Sequence, residues 1–161
     1  MADCAIYPGS FDPPTLGHLS LVERGLVVFD KIIVAVAVNP HKATLFTVEE
    51  RIELLKESVS GFPTARVEVD SFQSLTVDYA RLRGARAILR GLRATADFEY
   101  EFQLAMVNRH LCPDVQSVFM MADYQWFYIS SSTVKEAASF GANIDDLVPP
   151  AVSKRLRQKL G

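Results

Sequence analysis

The residues of this sequence that could do chemistry are almost all hydrogen-bond donors or cations. They are Ser10, His18, Lys42, Arg90, Arg93 and the serines at positions 130–132. We find no hydroxyl or thiol with an evident base beside it, so a covalent nucleophile is not indicated. A set of this kind is suited to binding phosphate, because guanidinium, ammonium and hydroxyl groups satisfy anionic oxygens.

This inventory favours a direct displacement. A substrate phosphate, already an anion, would attack the α-phosphorus of a nucleotide without needing a strong general base. The rate enhancement would come from alignment and from donors that neutralise charge on the five-coordinate phosphorus. His18 is the leading candidate for the donor to the α-phosphate, while Lys42 and Arg90 would hold the attacking phosphate.

The stretch Tyr7–His18 is predicted to form the centre of the site. An apolar run at 4–6 precedes it and an apolar-periodic segment follows it, which predicts strand, Gly/Pro turn and helix. Gly9 beside Ser10 lets backbone N–H groups approach an anion, and a helix starting near Gly17 adds unpaired N–H groups. The alternative is a tight connection with no ligand.

Each single residue also has a structural interpretation. His18 could cap its helix, and Lys42 could be an exposed loop lysine. Arg93 could form a structural salt bridge with Asp97 or Glu99.

Two later segments are candidates for nucleotide contacts. Glu101 lies on the same helical face as Asp97 and could accept from adenine or ribose, or remain a solvated carboxylate. The aromatic residues at 126–128 fit either the core or an adenine pocket lined by their backbone.

The elements that must position these residues alternate along the chain. Strands are predicted at 4–6, 31–38, 65–69, 87–89 and 115–121, and helices at 18–30, 47–58, 76–82, 97–111 and 130–140, with a helical region at 145–160. The continuous β-branched runs predict an α/β fold, a doubly wound sheet of about five parallel strands. Residues 9–18, 39–42 and 90–93 all follow strands, so they should meet at one rim of the sheet.

Composition limits the class of protein. With 161 residues, 49% of them hydrophobic, residues 1–161 are predicted to form a single domain with a C-terminal helical region. A net charge of −2 argues against general affinity for nucleic acid. Cys4 and Cys112 lack metal-like spacing and suit free thiols in a reducing cytoplasm, and no apolar run reaches membrane-spanning length.

Four stretches together resemble the phosphopantetheine adenylyltransferase family of the nucleotidyltransferase superfamily. They are Gly9-Ser-Phe-Asp-Pro-Pro-Thr-Leu-Gly-His18, Asn39-Pro-His-Lys42, Arg90-Gly-Leu-Arg-Ala-Thr-Ala-Asp-Phe-Glu-Tyr-Glu101 and Ile129-Ser-Ser-Ser-Thr-Val-Lys-Glu136. The resemblance covers nearly the whole chain. It implies a Rossmann-like nucleotidyltransferase fold and transfer of the adenylyl group of ATP to 4′-phosphopantetheine, giving dephospho-coenzyme A and pyrophosphate.

The resemblance also implies a set of contacts. His18, Lys42 and Arg90 would be catalytic, with His18 stabilising the transition state. Phosphopantetheine would contact Ser10, Lys42, Leu75, Thr76, Arg90, Asn108 and Glu136. ATP would contact Ser10, Phe11, His18, Gly91, Leu92, Arg93, Glu101, Trp126, Phe127, Tyr128, Ile129, Ser130, Ser131 and Ser132. Mg²⁺ would accompany the triphosphate without protein ligands, coenzyme A would compete as a feedback ligand, and the chain would assemble as a homohexamer.

Two departures and two rival functions remain at this point. Ser10 stands where the family often has threonine, which keeps the hydroxyl, and Thr76 replaces a more apolar residue. The nearest rival is a nicotinamide or nicotinate mononucleotide adenylyltransferase, which usually has histidine where Thr15 stands. The other is a non-catalytic nucleotide-binding module that kept the fold.

Overall fold

The computed structural model describes residues 3–161, apart from the side chain of Ala96. Its strands are β1 (Cys4–Gly9), β2 (Lys31–Ala37), β3 (Val67–Phe72), β4 (Ala87–Leu92) and β5 (Gln116–Met121). Its helices are α1 (Leu16–Val28), α2 (Val48–Ser58), α3 (Thr76–Leu82), α4 (Thr95–Leu111), α5 (Ser131–Ser139) and α6 (Pro150–Leu160).

The five strands form one parallel sheet in the order β3-β2-β1-β4-β5. The predicted doubly wound α/β fold is therefore confirmed. The strand order reverses between β1 and β4, and in such sheets ligands bind beyond the carboxyl ends of the strands at that point.

Strand β2 shows why the sheet is covered on both faces. Ile32, Val34 and Val36 pack into one buried cluster, and Ile33 and Ala35 into another on the opposite face. Alternate residues of a strand point to opposite faces, so a run apolar at every position needs helices on both. Helices α1 and α2 contribute to the first cluster, and α3 contributes to the second.

A third buried cluster joins the C-terminal helices to the body of the protein. Phe46 and Leu54 pack there with apolar residues of α5 and α6 and with Ile129. This cluster fixes the segment that leads into α5, which carries the serines predicted to bind ATP. Two side chains cap these helices: Thr47 caps α2 in a capping box with Glu50, and Ser130 caps α5.

Several boundaries differ from the predictions, and β1 runs on to Gly9. β3 begins at Val67 because the backbone N–H groups of Arg66 and Val67 close a turn onto the carbonyl of Pro63, and its pairing with β2 runs on to Phe72. β4 runs to Leu92, so Arg90 lies inside the strand. α6 begins at Pro150, about one turn later than predicted.

Three charged side chains of α6 form ion pairs at the surface. The ammonium of Lys159 is 2.6 Å from a carboxylate oxygen of Glu50, Arg157 pairs with Asp145 at 2.7 Å, and Arg155 pairs with Glu53 at 3.2 Å. Among the residues described, no helix is long and apolar enough to cross a membrane.

Candidate active site

Two cavities meet beyond the carboxyl ends of β1 and β4. The first has a volume of about 350 Å³ and the second about 340 Å³. Six residues line both: Pro8, Gly9, Ser10, Lys42, Arg90 and Glu101. These six residues form the wall that the two cavities share, and we call it the shared phosphate wall. It carries a hydroxyl, an ammonium and a guanidinium group.

The turn after β1 is shaped by Phe11. Its φ of 48° lies in the left-handed region, which is uncommon for a residue other than glycine, and its ring is buried. The ring centroid lies 5.3 Å from that of Tyr7 and 4.9 Å from that of His18. A Cβ at Gly9 would lie 3.1 Å from this ring, tighter than most real contacts, so glycine lets Phe11 pack against the strand end.

His18 is oriented by the start of its own helix. Thr15 is the N-cap of α1, and His18 occupies the third helical position of a capping box. The backbone N–H of Thr15 donates to Nδ1 of His18 at 2.9 Å. An accepting Nδ1 carries no proton, so in the neutral ring the proton is on Nε2. The structural interpretation of His18 as a helix cap is therefore correct. It leaves Nε2–H as the donor of the ring, and His18 is one of the residues that line the first cavity.

The imidazole of His18 is neutral around pH 7. Burial disfavours its charged form, the nearby Arg93 and Arg90 guanidinium groups repel a further positive charge, and together they lower the pKa of His18 to about 4. The side chain thus contributes a neutral N–H donor in a wall whose charge comes from other residues.

Arg90 is fixed by three hydrogen bonds before any ligand arrives. Its Nε and Nη2 donate to the two carboxylate oxygens of Glu101 at 2.9 and 2.5 Å, and its Nη1 donates to the carbonyl of Pro8 at 2.9 Å. A guanidinium group has five N–H bonds, so one remains on each terminal nitrogen. Two free donors on a fixed plane suit bidentate contact with a phosphate.

Arg93, the residue directly after β4, is held in a similar way. Its Nε and backbone N–H both donate to Asp97, at 3.2 and 3.1 Å, and its Nη1 donates to the carbonyl of Ile129 at 3.1 Å. The predicted structural salt bridge to Asp97 is present. Asp97 and Glu101 are one turn apart on α4, so one helix orients both arginines.

Lys42 reaches the site from the loop after β2. Its ammonium donates to the hydroxyl of Ser10 at 2.9 Å, although the side chain is exposed. The carbonyl of Ser10 accepts from Nη1 of Arg51 at 2.9 Å, and Arg51 is buried on α2. The prediction that Ser10, Lys42 and Arg90 meet at one rim is confirmed by their place on the shared phosphate wall.

The comparisons with known proteins agree with this geometry. Residues 6–137 match the family described as cytidylyltransferase-like. A phosphopantetheine adenylyltransferase from Anaeromyxobacter dehalogenans (strain 2CP-C) is 55% identical over 161 residues, covering 100% of this chain and 97% of the relative. One from Desulfosudis oleivorans (strain DSM 6200 / JCM 39069 / Hxd3) is 53% identical, covering 98% and 92%. This chain belongs to the phosphopantetheine adenylyltransferase family.

A solved structure shares the fold at much lower identity. It is of a protein from Vibrio parahaemolyticus provisionally named nicotinate-nucleotide adenylyltransferase, with a TM-score of 0.72 and 19% identity, covering 98% of this chain and 99% of that one. At this identity the likeness shows the nucleotidyltransferase fold alone. The rival nicotinate function gains no support from it, while phosphopantetheine adenylyltransferases are more than 50% identical over nearly the whole chain.

Most residues predicted to bind ATP in this phosphopantetheine adenylyltransferase family member line the first cavity. They are Ser10, Phe11, His18, Gly91, Arg93, Glu101, Trp126, Ile129 and Ser130 to Ser132. Leu92 instead points into the core, and Phe127 and Tyr128 are more than half exposed outside the cavity lining. For these three, a contact through the backbone stays a prediction.

The residues predicted to bind phosphopantetheine divide in the same way. Ser10, Lys42, Thr76, Arg90 and Asn108 line the second cavity. Leu75 and Glu136 are exposed and are not part of that lining, so their predicted contacts stay predictions.

Several lining residues were not predicted from the sequence. Lys135 and Asp12 line the first cavity, and Tyr100, Ser117 and Phe119 line the second. The opening stretch did mark Asp12 by its position between Ser10 and His18, but nothing in the sequence indicated which groups its carboxylate would contact.

Proposed function

We propose that this chain transfers the adenylyl group of ATP to 4′-phosphopantetheine, forming dephospho-coenzyme A and pyrophosphate in coenzyme A biosynthesis. The observation that carries the proposal is the shared phosphate wall. Two cavities of similar volume, each large enough for part of a substrate, meet at Ser10, Lys42 and Arg90. Two polyanions placed in them would touch end to end at their phosphates, as an in-line displacement requires.

The acceptor phosphate would lie in the second cavity against the shared phosphate wall. Lys42 and the two free N–H groups of Arg90 would bind its oxygens, and Glu101 would keep Arg90 in position. One oxygen of this phosphate forms a bond to the α-phosphorus of ATP, and the bond from that phosphorus to the oxygen that bridges the α- and β-phosphates breaks, so that this oxygen leaves with pyrophosphate. No proton must be removed from the nucleophile, because the phosphate is already ionised.

The nucleotide would occupy the first cavity with its α-phosphate near His18. The Nε2–H of His18 would donate to a non-bridging oxygen whose charge grows in the transition state. Arg93 and the first turn of α5, with Ser130 to Ser132, would bind the phosphates that leave as pyrophosphate, since a helix N-terminus presents free N–H groups. Trp126, Ile129 and their backbone would line the adenine end.

Mg²⁺ fits this site as a companion of the triphosphate. Across residues 3–161 no three His, Cys, Asp or Glu side chains lie close enough to hold a metal ion. The carboxylates of Asp12, Asp97 and Glu101 in the first cavity are bound to Lys135, Arg93 and Arg90. Mg²⁺ characteristically keeps waters and binds substrate phosphates, so ATP and water would supply its ligands. When bound it would neutralise charge on the phosphate oxygens.

The second cavity supports an acceptor with an amide-bearing arm. Asn108 lies on α4, is 8% exposed and lines this cavity. A side-chain amide offers both hydrogen-bond donors and an acceptor. It would pair with the amide groups of phosphopantetheine, and Thr76 lies in the same lining.

Pyrophosphate release tests the proposal directly. The purified chain is given Mg²⁺ and ATP with 4′-phosphopantetheine, with nicotinamide or nicotinate mononucleotide, or with no acceptor. Of these acceptors, we expect only phosphopantetheine to support pyrophosphate release, with dephospho-coenzyme A identified as the product by mass spectrometry. Release with a mononucleotide instead would establish the rival, and ATP binding without turnover on any acceptor would identify a non-catalytic module.

Three further properties complete the proposal. We propose a homohexamer, supported by exposed apolar side chains along α4: Phe98, Phe102, Met106, Val107 and Leu111. Coenzyme A would compete with substrate because it contains both a phosphopantetheine arm and an adenine nucleotide. A cytoplasmic location is supported by the two cysteines, Cys4 and Cys112, which are free thiols.

A further inference from the structure

Among the buried carboxylates that line the first cavity, Asp12 accepts the most hydrogen bonds. It is only 3% exposed, and its pKa lies below its ordinary value: burial alone would raise it, but hydrogen bonds from Lys135 and from the N–H groups of Phe46 and Leu45 lower it further than that. The group is therefore ionised at neutral pH. None of these three donors comes from the turn that carries Asp12.

One set of bonds fixes the loop that carries Lys42. The backbone N–H groups of Leu45 and Phe46 donate to Oδ2 and Oδ1 of Asp12, each at 2.9 Å. Phe46 is also held by its side chain, which is buried in the third cluster. The other end of the loop is closed at Asn39, whose carbonyl accepts from the N–H of Lys42 at 3.1 Å. Asp12 thus anchors the segment from which Lys42 reaches the shared phosphate wall.

The remaining bond fixes α5. The ammonium of Lys135, on the second turn of that helix, lies 2.7 Å from Oδ2 of Asp12. A second contact nearby comes from the hydroxyl of Ser131, which donates to the carbonyl of Pro13 at 2.7 Å. The N-terminus of α5 and its serines are therefore tied to the opening turn mainly through one ion pair and one hydroxyl.

We propose that Asp12 is a positioning residue that sets the distance between the acceptor-binding and nucleotide-binding halves of the site, holding the Lys42 loop through two backbone bonds and α5 through Lys135. This rests on the proposed adenylyl transfer. Asp12 touches neither reacting group in this scheme. It acts through Lys42 on one side and through the N-terminus of α5 on the other.

Variants of Lys135 test the nucleotide-binding half of the site separately from the acceptor-binding half. Lys135→Met leaves the two backbone bonds of Asp12 in place, so ATP binding should weaken by about tenfold, as for loss of a charge-assisted bond, while phosphopantetheine binding stays within about twofold. Lys135→Arg should restore ATP binding. Each dissociation constant is measured by calorimetry on the full chain with one ligand at a time, the ATP titrations with Mg²⁺.

Asp12→Asn should affect both halves. The amide has one accepting oxygen in place of two, so it cannot satisfy both backbone N–H groups and Lys135. We expect both dissociation constants to rise by about tenfold or more. Adding Lys135→Met to this variant should weaken ATP binding no further, because the ion pair is already broken.

Asp145→Asn is the matched control. Asp145 accepts from Ser153 and Arg157, and it lines neither site cavity. Its loss should lower the melting temperature and leave both dissociation constants unchanged.

Three results would overturn the proposal. If Lys135 bound the triphosphate itself, Asp12→Asn would free it and tighten ATP binding. Additive effects in the double variant would likewise show independent roles. A fall in melting temperature alone, with both affinities kept, would make Asp12 purely structural. If Asp12→Asn does not fold, an ATP affinity left unchanged by Lys135→Met would still overturn the proposal. Absence of phosphopantetheine-dependent turnover in the unmodified chain would refute the proposed function instead, whatever the variants do.

Discussion

Replacing His18 should separate its two roles. Nδ1 accepts from the N–H of Thr15 and completes the cap of α1, while Nε2–H is free to donate to the α-phosphate. His18→Ala removes both groups. His18→Asn keeps an acceptor near the position of Nδ1 but has no atom that reaches as far as Nε2, so it should keep the cap and lose the donor.

The two roles differ in magnitude and in what they affect. Removing a donor that acts on a developing oxyanion lowers kcat by roughly a hundredfold to a thousandfold, which is about 3–4 kcal/mol. Removing a helix cap lowers the free energy of unfolding by about 1 kcal/mol, or about 2–4 °C in Tm for a chain of this size. Both variants should therefore lose turnover alike, and only His18→Ala should lose the additional stability.

Three measurements check this: pyrophosphate release for kcat, calorimetry for ATP affinity, and thermal unfolding for Tm. ATP affinity should stay close to that of the unmodified chain, because the donor acts most strongly in the transition state. Thr15→Ala is the comparison that loses the hydroxyl part of the cap while leaving the imidazole in place. Turnover by His18→Asn at the unmodified rate, or equal losses in affinity and kcat, would refute the assignment of Nε2–H to the transition state.

Three other outcomes follow from the site. Lys42→Ala should weaken phosphopantetheine binding by about tenfold or more with little change for ATP; calorimetry showing the reverse would move Lys42 to the nucleotide side. Glu101→Gln should lower the free energy of unfolding by about 1–3 kcal/mol in urea titrations, because it leaves the guanidinium of Arg90 without its carboxylate, and a stability equal to that of the unmodified chain would contradict the pairing. Since burial and the charges of Arg93 and Arg90 lower the pKa of His18 from 6.5 to about 4, the unfolded chain binds a proton there first as pH falls. Stability should therefore decline between about pH 6.5 and pH 4, less steeply in His18→Asn, and parallel pH curves for the two proteins would argue against a neutral imidazole.

The sheet and the rim of the site were predictable because they depend on local patterns. Continuous β-branched runs such as 31–38 require cover on both faces, and parallel strands bring their carboxyl ends to one edge. This was enough to place His18, Lys42 and Arg90 together. Boundaries were less certain, since the limits of β3 depend on a turn at Pro63 and on pairing with a strand about 35 residues earlier.

The partners of charged groups were not predictable in the same way. Glu101 was expected to face ATP, but both of its oxygens accept from Arg90, and its contact with ATP stays a prediction. Asp12 and Lys135 are 123 residues apart in the chain, and Arg51 is 41 residues from the carbonyl it binds. Contacts of this kind form only when separate elements pack together, so they cannot be predicted from the periodicity of the sequence.

The two adjoining cavities have a consequence for the end of the catalytic cycle. In the proposed scheme each substrate would occupy one of them, whereas dephospho-coenzyme A, joined covalently at the phosphates beside Ser10, Lys42 and Arg90, would fill both as a bivalent ligand. When either half detaches, the other holds it at high effective concentration, so rebinding competes with escape. We therefore expect the residence time of dephospho-coenzyme A to exceed that of either starting compound.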